Sequence, residues 1–232
     1  MKISILTLFP EMFAGPFEQS IIKRAQLKNI VEIEYINIRD FGEGAHKIVD
    51  DTPYGGGIGM ILKVDVLHKA IEKAKASYNE KREVKRLVVL TSASGKSYNQ
   101  KSAKKYSGLD HLIIICGHYE GIDERILSYI DEELAIGDFV LTGGEIPAMV
   151  IVDSVVRLLK GVITEGAVEE ESFSNDALLE YPHYTKPRIY NDLEVPEILL
   201  NGNHKKISEW RLEKSKEKTK NNRPDLLKKN SY

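Results

Sequence analysis

Three glycine-rich stretches hold residues on which a ligand site could be built. In "LVVLTSASGKSYNQ", Leu87 to Gln100, a Gly-Lys-Ser triplet follows an apolar β-branched run and raises the question of a phosphate cradle. A phosphate-binding loop, G-x-x-x-x-G-K-[ST], needs a first glycine so that its backbone N–H groups can converge on the phosphate. With Gly95, Lys96 and Ser97 as the end of the pattern, that position is Leu90, which argues against a nucleoside triphosphatase. Gly117 to Gly121 and Gly137 to Gly144 also follow apolar stretches, and neither has the G-x-G-x-x-G spacing that seats a pyrophosphate on a helix N-terminus. A dinucleotide is therefore disfavoured, whereas a smaller adenosine ligand is not. Ligands of α/β sheets bind at the carboxyl ends of strands, where glycine lets backbone amides approach closely. Three such loops point to one shared pocket; the plainer reading is that each glycine only makes a tight turn.

"VDDTPYGGGIGM", Val49 to Met60, pairs Asp50 and Asp51 with an aromatic and a glycine run. A nucleic-acid base could stack on Tyr54 while the glycines admit its backbone, and the Asp pair could bind a metal or cap a turn. Arg157 lies in "PAMVIVDSVVRLL", apolar nearly all round, so its guanidinium is expected to be buried and paired with Asp153 four residues earlier. Cys116, the single cysteine, sits in "LIIICG" and reads as a buried strand residue; an internal disulfide and a thiolate metal cage are both excluded.

The elements that position these residues follow from periodicity. "KISILTLF" reads as a buried strand, "PFEQSIIKRAQL" as an amphipathic helix, and Val31 to Ile38 alternates with period two. A helix is expected from Asp65 as N-cap, with Val66, Leu67, Ala70, Ile71 and Ala74 on one face. Arg86–Leu90 and His111–Cys116 are short continuous apolar runs, as in strands buried on both faces of a parallel sheet. Another helix is expected from near Glu145, with Pro147 in its first turn, to about Leu159. This order implies a three-layer α/β domain over residues 1–163. Residues 164–180 are acidic and aperiodic and read as a flexible connector, and 181–232 read as a small, basic, α-helical domain with Ile207, Trp210 and Leu212 in its pattern. With 232 residues, 42% of them hydrophobic, the chain can bury a full core. No apolar run approaches the roughly 20 residues of a membrane span, and "MKISILTLFP" is too soon broken by Pro10 to be a signal peptide. The expected address is cytoplasmic.

"DDTPYGGGIGM", "CGHYEGIDER", "IDEELAIGDFVLTGGEIPAM", "PHYTKP", "PEILLNGNH" and the Trp210-Arg211 pair resemble, in order and along nearly the whole chain, the bacterial tRNA (guanine-37-N1)-methyltransferases of the TrmD type, members of the SPOUT superfamily. The resemblance implies a SPOUT-type parallel sheet with helices on both faces and a deep trefoil knot, followed by a helical tRNA-binding domain. It implies S-adenosyl-L-methionine as methyl donor, Mg2+ as an auxiliary ion, tRNA as substrate and a homodimer with shared active sites. Carried over by position, cofactor contacts fall on Leu90, Thr91, Ser92, Ala93 and Gly95 in the first loop and on Gly117 and Glu120 in the second. In the third they fall on Ile136, Gly137, Asp138, Phe139, Val140, Leu141, Gly143 and Gly144. Ala93 replaces a proline usual in the family. Arg157 matches its essential arginine, and Glu171, before Ser172-Phe173, stands where the family has an aspartate proposed as general base; Glu170 and Asp176 are the neighbouring alternatives. Two rival readings are a catalytically degenerate RNA-binding protein, suggested by the changes at Ala93 and Glu171, and an NAD-linked oxidoreductase, suggested by the α/β pattern alone.

Overall fold

The computed structural model describes residues 1–78, 83–164, 166, 171–173 and 178–228. The chain divides into two compact units, Met1–Ile163 and Thr164–Tyr232.

The first unit contains, in chain order, strand β1 (Lys2–Thr7), helices α1 (Ala14–Phe17) and α2 (Ser20–Leu27), strands β2 (Glu32–Asn37), β3 (Asp50–Asp51) and β4 (Ile61–Leu62), and helix α3 (Val64–Ala76). After these come β5 (Arg86–Ser97), α4 (Gln100–Ser107), β6 (His111–Cys116), β7 (Glu132–Ala135) and α5 (Glu145–Val156). Five strands form one sheet in the order β2-β1-β6-β5-β7, and every neighbouring pair is parallel. The central strands are buried on both faces, which is why their sequences run apolar without alternation. Ile113 and Ile115 enter the layer shared with Val66, Leu67 and Ile71 of α3. Leu112, Ile114 and Cys116 enter the opposite layer, with Phe13, Phe17, Tyr106, Ile151 and Val155. Each fully buried aliphatic side chain of this kind contributes roughly 1.5–3 kcal/mol.

Several expectations change in detail. The helix expected over "PFEQSIIKRAQL" is broken between α1 and α2, with Ser20 at φ 52°. Phe17 and Ile22 are both buried, and five residues at about 100° each would place them on divergent sides of one continuous helix. Helix α3 begins at Val64, so Asp65 is not the cap but lies in the first turn, 3.7 Å from Lys69, where its charge still suits the helix dipole. Strand β5 runs past Leu90 to Ser97, with a register shift between Thr91 and Lys96 against β7. Helix α5 ends at Val156, and Arg157 is its half-buried C-cap while Asp153 is exposed. The expectation of a buried arginine fails because the inward face carries Ala148, Ile151, Val152 and Val155, while positions 146, 150, 153 and 157 share the outer face by helical spacing.

The second unit holds a two-stranded hairpin, β8 (Ile189–Tyr190) and β9 (Leu193–Glu194), then α6 (His204–Asn222) and α7 (Pro224–Lys228). Asn191 and Asp192 join the strands, both at positive φ, as a two-residue hairpin turn requires. The Asn203 side chain caps α6 by accepting the Lys206 N–H at 3.2 Å. The apolar pattern misplaces the buried face of α6: Leu212 is 50% exposed, while Ser215 and Thr219 are buried. Their hydroxyls meet the backbone of Leu179, Thr219 accepting its N–H at 2.9 Å and Ser215 donating to its carbonyl. Much of the expected acidic connector lies outside the described residues.

Candidate active site

The first glycine stretch spans the register shift within β5, the other two follow β6 and β7, and the three meet at Thr91. Its buried hydroxyl donates to the Ile115 carbonyl at 3.1 Å and accepts the Gly117 N–H at 3.4 Å. The Gly144 N–H donates to the Gly117 carbonyl at 2.7 Å. A Cβ on Gly144 would stand 2.1 Å from Thr91 Oγ1 and 2.6 Å from the Gly117 nitrogen, so the junction closes only around glycine. Beside it opens a cavity of about 460 Å³, within the range of small-molecule sites.

Of the residues expected to contact a cofactor, Thr91, Ser92, Ala93, Gly117 and Glu120 line this cavity, as do Ile136, Gly137, Phe139, Val140, Leu141, Gly143 and Gly144. Leu90, Gly95 and Asp138 do not. The Leu90 side chain belongs to the core. Gly95 faces β7, where a Cβ would lie 2.4 Å from the Leu134 nitrogen, so it serves close strand approach. Asp138 is exposed between two lining residues. Ser94, within the expected first loop, also lines the cavity, whereas sequence reasoning missed His118, Glu124 and Glu133; Ser94 Oγ donates to Glu133 Oε1 at 2.9 Å. Glu133 is adjacent to Leu134 in β7, inside the "IDEELAIGDFVLTGGEIPAM" stretch that carries the resemblance, and only the strand pairing brings it to the cavity.

The described lining contains three carboxylates, Glu120, Glu124 and Glu133, and no lysine or arginine. Such a wall favours a ligand with cationic groups over a polyphosphate. Among the described residues, no group of three or more His, Cys, Asp or Glu is arranged to hold a metal ion. Asp51, at the end of β3, accepts the Thr52 N–H at 2.7 Å. Beyond it, Tyr54 and Ile58 are almost wholly exposed. The stem of their loop is tied to the cavity wall: Glu120 N–H donates to the Met60 carbonyl at 3.2 Å, and Leu62 N–H to that of Gly121 at 3.1 Å.

Arg157 does not line this cavity. It stands at the opposite end of α5 from Gly144, about 18 Å along a twelve-residue helix. Glu171 belongs to the second unit and is half-buried. The Ser172 hydroxyl next to it accepts the Glu180 N–H at 3.1 Å, and the Phe173 N–H donates to the Leu178 carbonyl at 3.2 Å. Glu170 and Asp176 lie outside the described residues.

A parallel sheet whose carboxyl-end loops enclose a glycine-lined acidic cavity defines an α/β ligand-binding domain of the kind that serves enzymes. Residues 1–229 match the family model described as tRNA (Guanine-1)-methyltransferase TrmD, and the chain belongs to that family. It is 56% identical over 230 residues to the tRNA (guanine-N(1)-)-methyltransferase of Carboxydothermus hydrogenoformans, covering 98% of this chain and 88% of the relative. The protein of the same name from Dictyoglomus turgidum is 52% identical over 232 residues, 100% of this chain and 91% of its own. That from Malacoplasma penetrans is 52% identical over 227 residues, 98% and 97%. Among the described residues, no helix is long and apolar enough to cross a membrane.

Proposed function

We propose that this protein transfers a methyl group from S-adenosyl-L-methionine to N1 of guanine 37 of tRNA, beside the anticodon, in the cytoplasm. The observation that carries the reading is the convergence of three glycine loops on one acidic cavity in a chain of this family. The cavity fits the methyl donor: its size suits an adenosine ligand, and its carboxylates suit a sulfonium and an ammonium group. When bound, that donor supplies a methyl group activated by positive sulfur. Thr91, Gly117 and Gly144 fix the wall that orients it. Magnesium, which the family resemblance implies, has no ligand set among the described residues.

Guanine N1 carries a proton at neutral pH and attacks poorly until that proton leaves. In this reading Glu171 takes the proton, and Arg157 stabilises the negative charge that develops on O6. The remaining task is to align the nitrogen, methyl carbon and sulfur. Because Arg157 sits a helix length from the cavity of its own chain, its use fits an active site shared between two copies. The exposed Ile146 and Val150, one turn apart on α5, supply an apolar face for such a homodimer. The exposed Tyr54 and the lysines of α6 suit the tRNA. The same reading takes the loops of β5 to β7 as a SPOUT trefoil knot and the second unit as the helical tRNA-binding domain. The names borne by the relatives favour catalysis over a degenerate RNA-binding protein.

The test is methyl transfer from labelled cofactor to unmodified tRNA, with nuclease mapping of the labelled base. Label at N1 of the guanine beside the anticodon is expected, and label elsewhere or none overturns the assignment. Mixing chains carrying Arg157→Ala with chains disabled in the cavity tests the sharing. Recovered activity is expected, and mixed dimers without any would refute a shared site.

A further inference from the structure

Behind the cavity wall lies a buried carboxylate that the mechanism does not use. Thr7, at the end of β1, is fully buried; its hydroxyl donates to Glu145 Oε1 at 2.7 Å and accepts the Phe9 N–H at 2.9 Å. Glu145 is only 2% exposed. A Cβ placed on Gly143 would stand 2.5 Å from Glu145 Oε2, 2.9 Å from His118 Cδ2 and 3.2 Å from His118 Nε2. The carboxylate and the imidazole therefore both occupy the space that a side chain at residue 143 would need. His118 Nδ1 accepts the Tyr119 N–H at 2.9 Å, which assigns the proton of the neutral ring to Nε2, on the side of Gly143.

Burying a carboxylate is costly unless its partners hold it well. Here the first turn of α5 offers favourable dipole charge, and Thr7 provides the side-chain donor. Neither Thr7 nor Glu145 lines the cavity, whereas Gly143 and His118 do. We infer that Thr7 and Glu145 are a positioning pair: the hydroxyl fixes the carboxylate, and the carboxylate fixes the Gly143–Gly144 turn and the His118 ring that form the wall. This inference rests on the proposed function in one respect, that the cavity takes S-adenosylmethionine.

Thr7→Val keeps the shape and removes the hydroxyl; Glu145→Gln keeps the shape and removes the charge. Thr7→Ser restores the donor. Ser4→Ala, on the same strand, deletes a buried hydroxyl that bonds His111 and Glu34 instead. With each full-length variant, thermal unfolding, S-adenosylmethionine affinity by calorimetry, and separate KM values for cofactor and tRNA are measured. Thr7→Val and Glu145→Gln should weaken cofactor binding by about tenfold, as an orphaned or altered buried partner does, and raise the cofactor KM with the tRNA KM unchanged. Thr7→Ser should stay near the parent affinity, and Ser4→Ala should lower Tm with affinity intact. If Glu145→Gln does not fold, Thr7→Val decides. Parent-like affinity in Thr7→Val, or equal loss of affinity in Ser4→Ala, reduces the pair to core packing and overturns the inference. A parent chain that binds no S-adenosylmethionine overturns the proposed function, and this inference with it.

Discussion

At the amino-terminal edge of the sheet the polar groups satisfy one another; at the carboxyl-terminal edge they surround a space. Lys2, only 5% exposed, lies 3.1 Å from both Glu32 and Glu34. Burial alone would lower its pKa, but the two carboxylates outweigh that and raise it. His111 accepts from Arg86 Nε at 3.2 Å through Nδ1 and meets Ser4 Oγ at 2.9 Å through Nε2, and that hydroxyl donates on to Glu34 at 3.1 Å. Across the sheet, Glu120, Glu124 and Glu133 face a cavity without lysine or arginine among its described lining. One fold thus spends its paired charges on stability at one edge and leaves acceptors for a ligand at the other. Substitutions at the two edges should separate stability from binding.

The largest effect is expected at the loop junction. Gly144→Ala drives a Cβ into Thr91 Oγ1 and the Gly117 nitrogen, and backbone cannot rotate away as a side chain can. Overpacking of this kind costs roughly 1–3 kcal/mol, up to about a hundredfold in affinity. Cofactor calorimetry should show that loss, and a Gly144→Ala protein binding like its parent would erase the contrast.

Next comes acid sensitivity at the opposite edge. Burial, with the charges of Arg86 and Lys2, lowers the His111 pKa from 6.5 to about 4. The unfolded chain therefore binds a proton between pH 6.5 and 4 that the folded chain refuses, so stability falls as pH falls through that window. The full loss is on the order of 3 kcal/mol and is absent above pH 7. Urea unfolding across pH should show this slope, and His111→Asn should flatten it. An unchanged slope in His111→Asn would place the acid sensitivity elsewhere.

The smallest effect sharpens the same division. Phe139 is 54% exposed and its ring lies over Gly137, with Cε1 2.3 Å from where a Cβ would stand. Phe139→Ala should weaken cofactor binding a few-fold and leave Tm unchanged, since an exposed ring contributes little to the core. A drop in Tm as large as that from Ser4→Ala would blur the two edges.

The parts of the fold that were legible in the sequence are those where burial is symmetric or strictly periodic. Leu87–Leu90 and Leu112–Cys116 announce two-sided strands because every side chain is apolar, and the residues from Val66 to Ala74 announce α3. The break at Glu18-Gln19 was not legible, since each half has acceptable helical spacing and only the shared core decides the turn between them. The hairpin at Ile189–Glu194 is too short to show a period, although Asn191-Asp192 carries its turn signal. In α6 the apolar residues mislead, because the buried stripe is closed by the Ser215 and Thr219 hydroxyls on Leu179. The cavity was legible through its glycines, of which Gly117 and Gly144 stand where backbones touch. Thr7 and Glu145 were not, because residues 138 positions apart become partners only when β1 and α5 pack.

Cys116 gives the sheet a further use. It is the single cysteine of the chain and fully buried, and burial together with the negative charge of Glu145 pushes its thiol pKa well up. Its Cα lies 2.7 Å from where a Cβ on Gly144 would stand, directly beneath the loop junction. The sulfur lies in the core layer with Phe13, Ile151 and Val155, so a thiol reagent reaches it only when that layer opens, and no other thiol competes for it. The rate at which the protein takes up one equivalent of reagent is therefore a clock for the opening of the core beneath its ligand site, wound by nothing that has to be engineered.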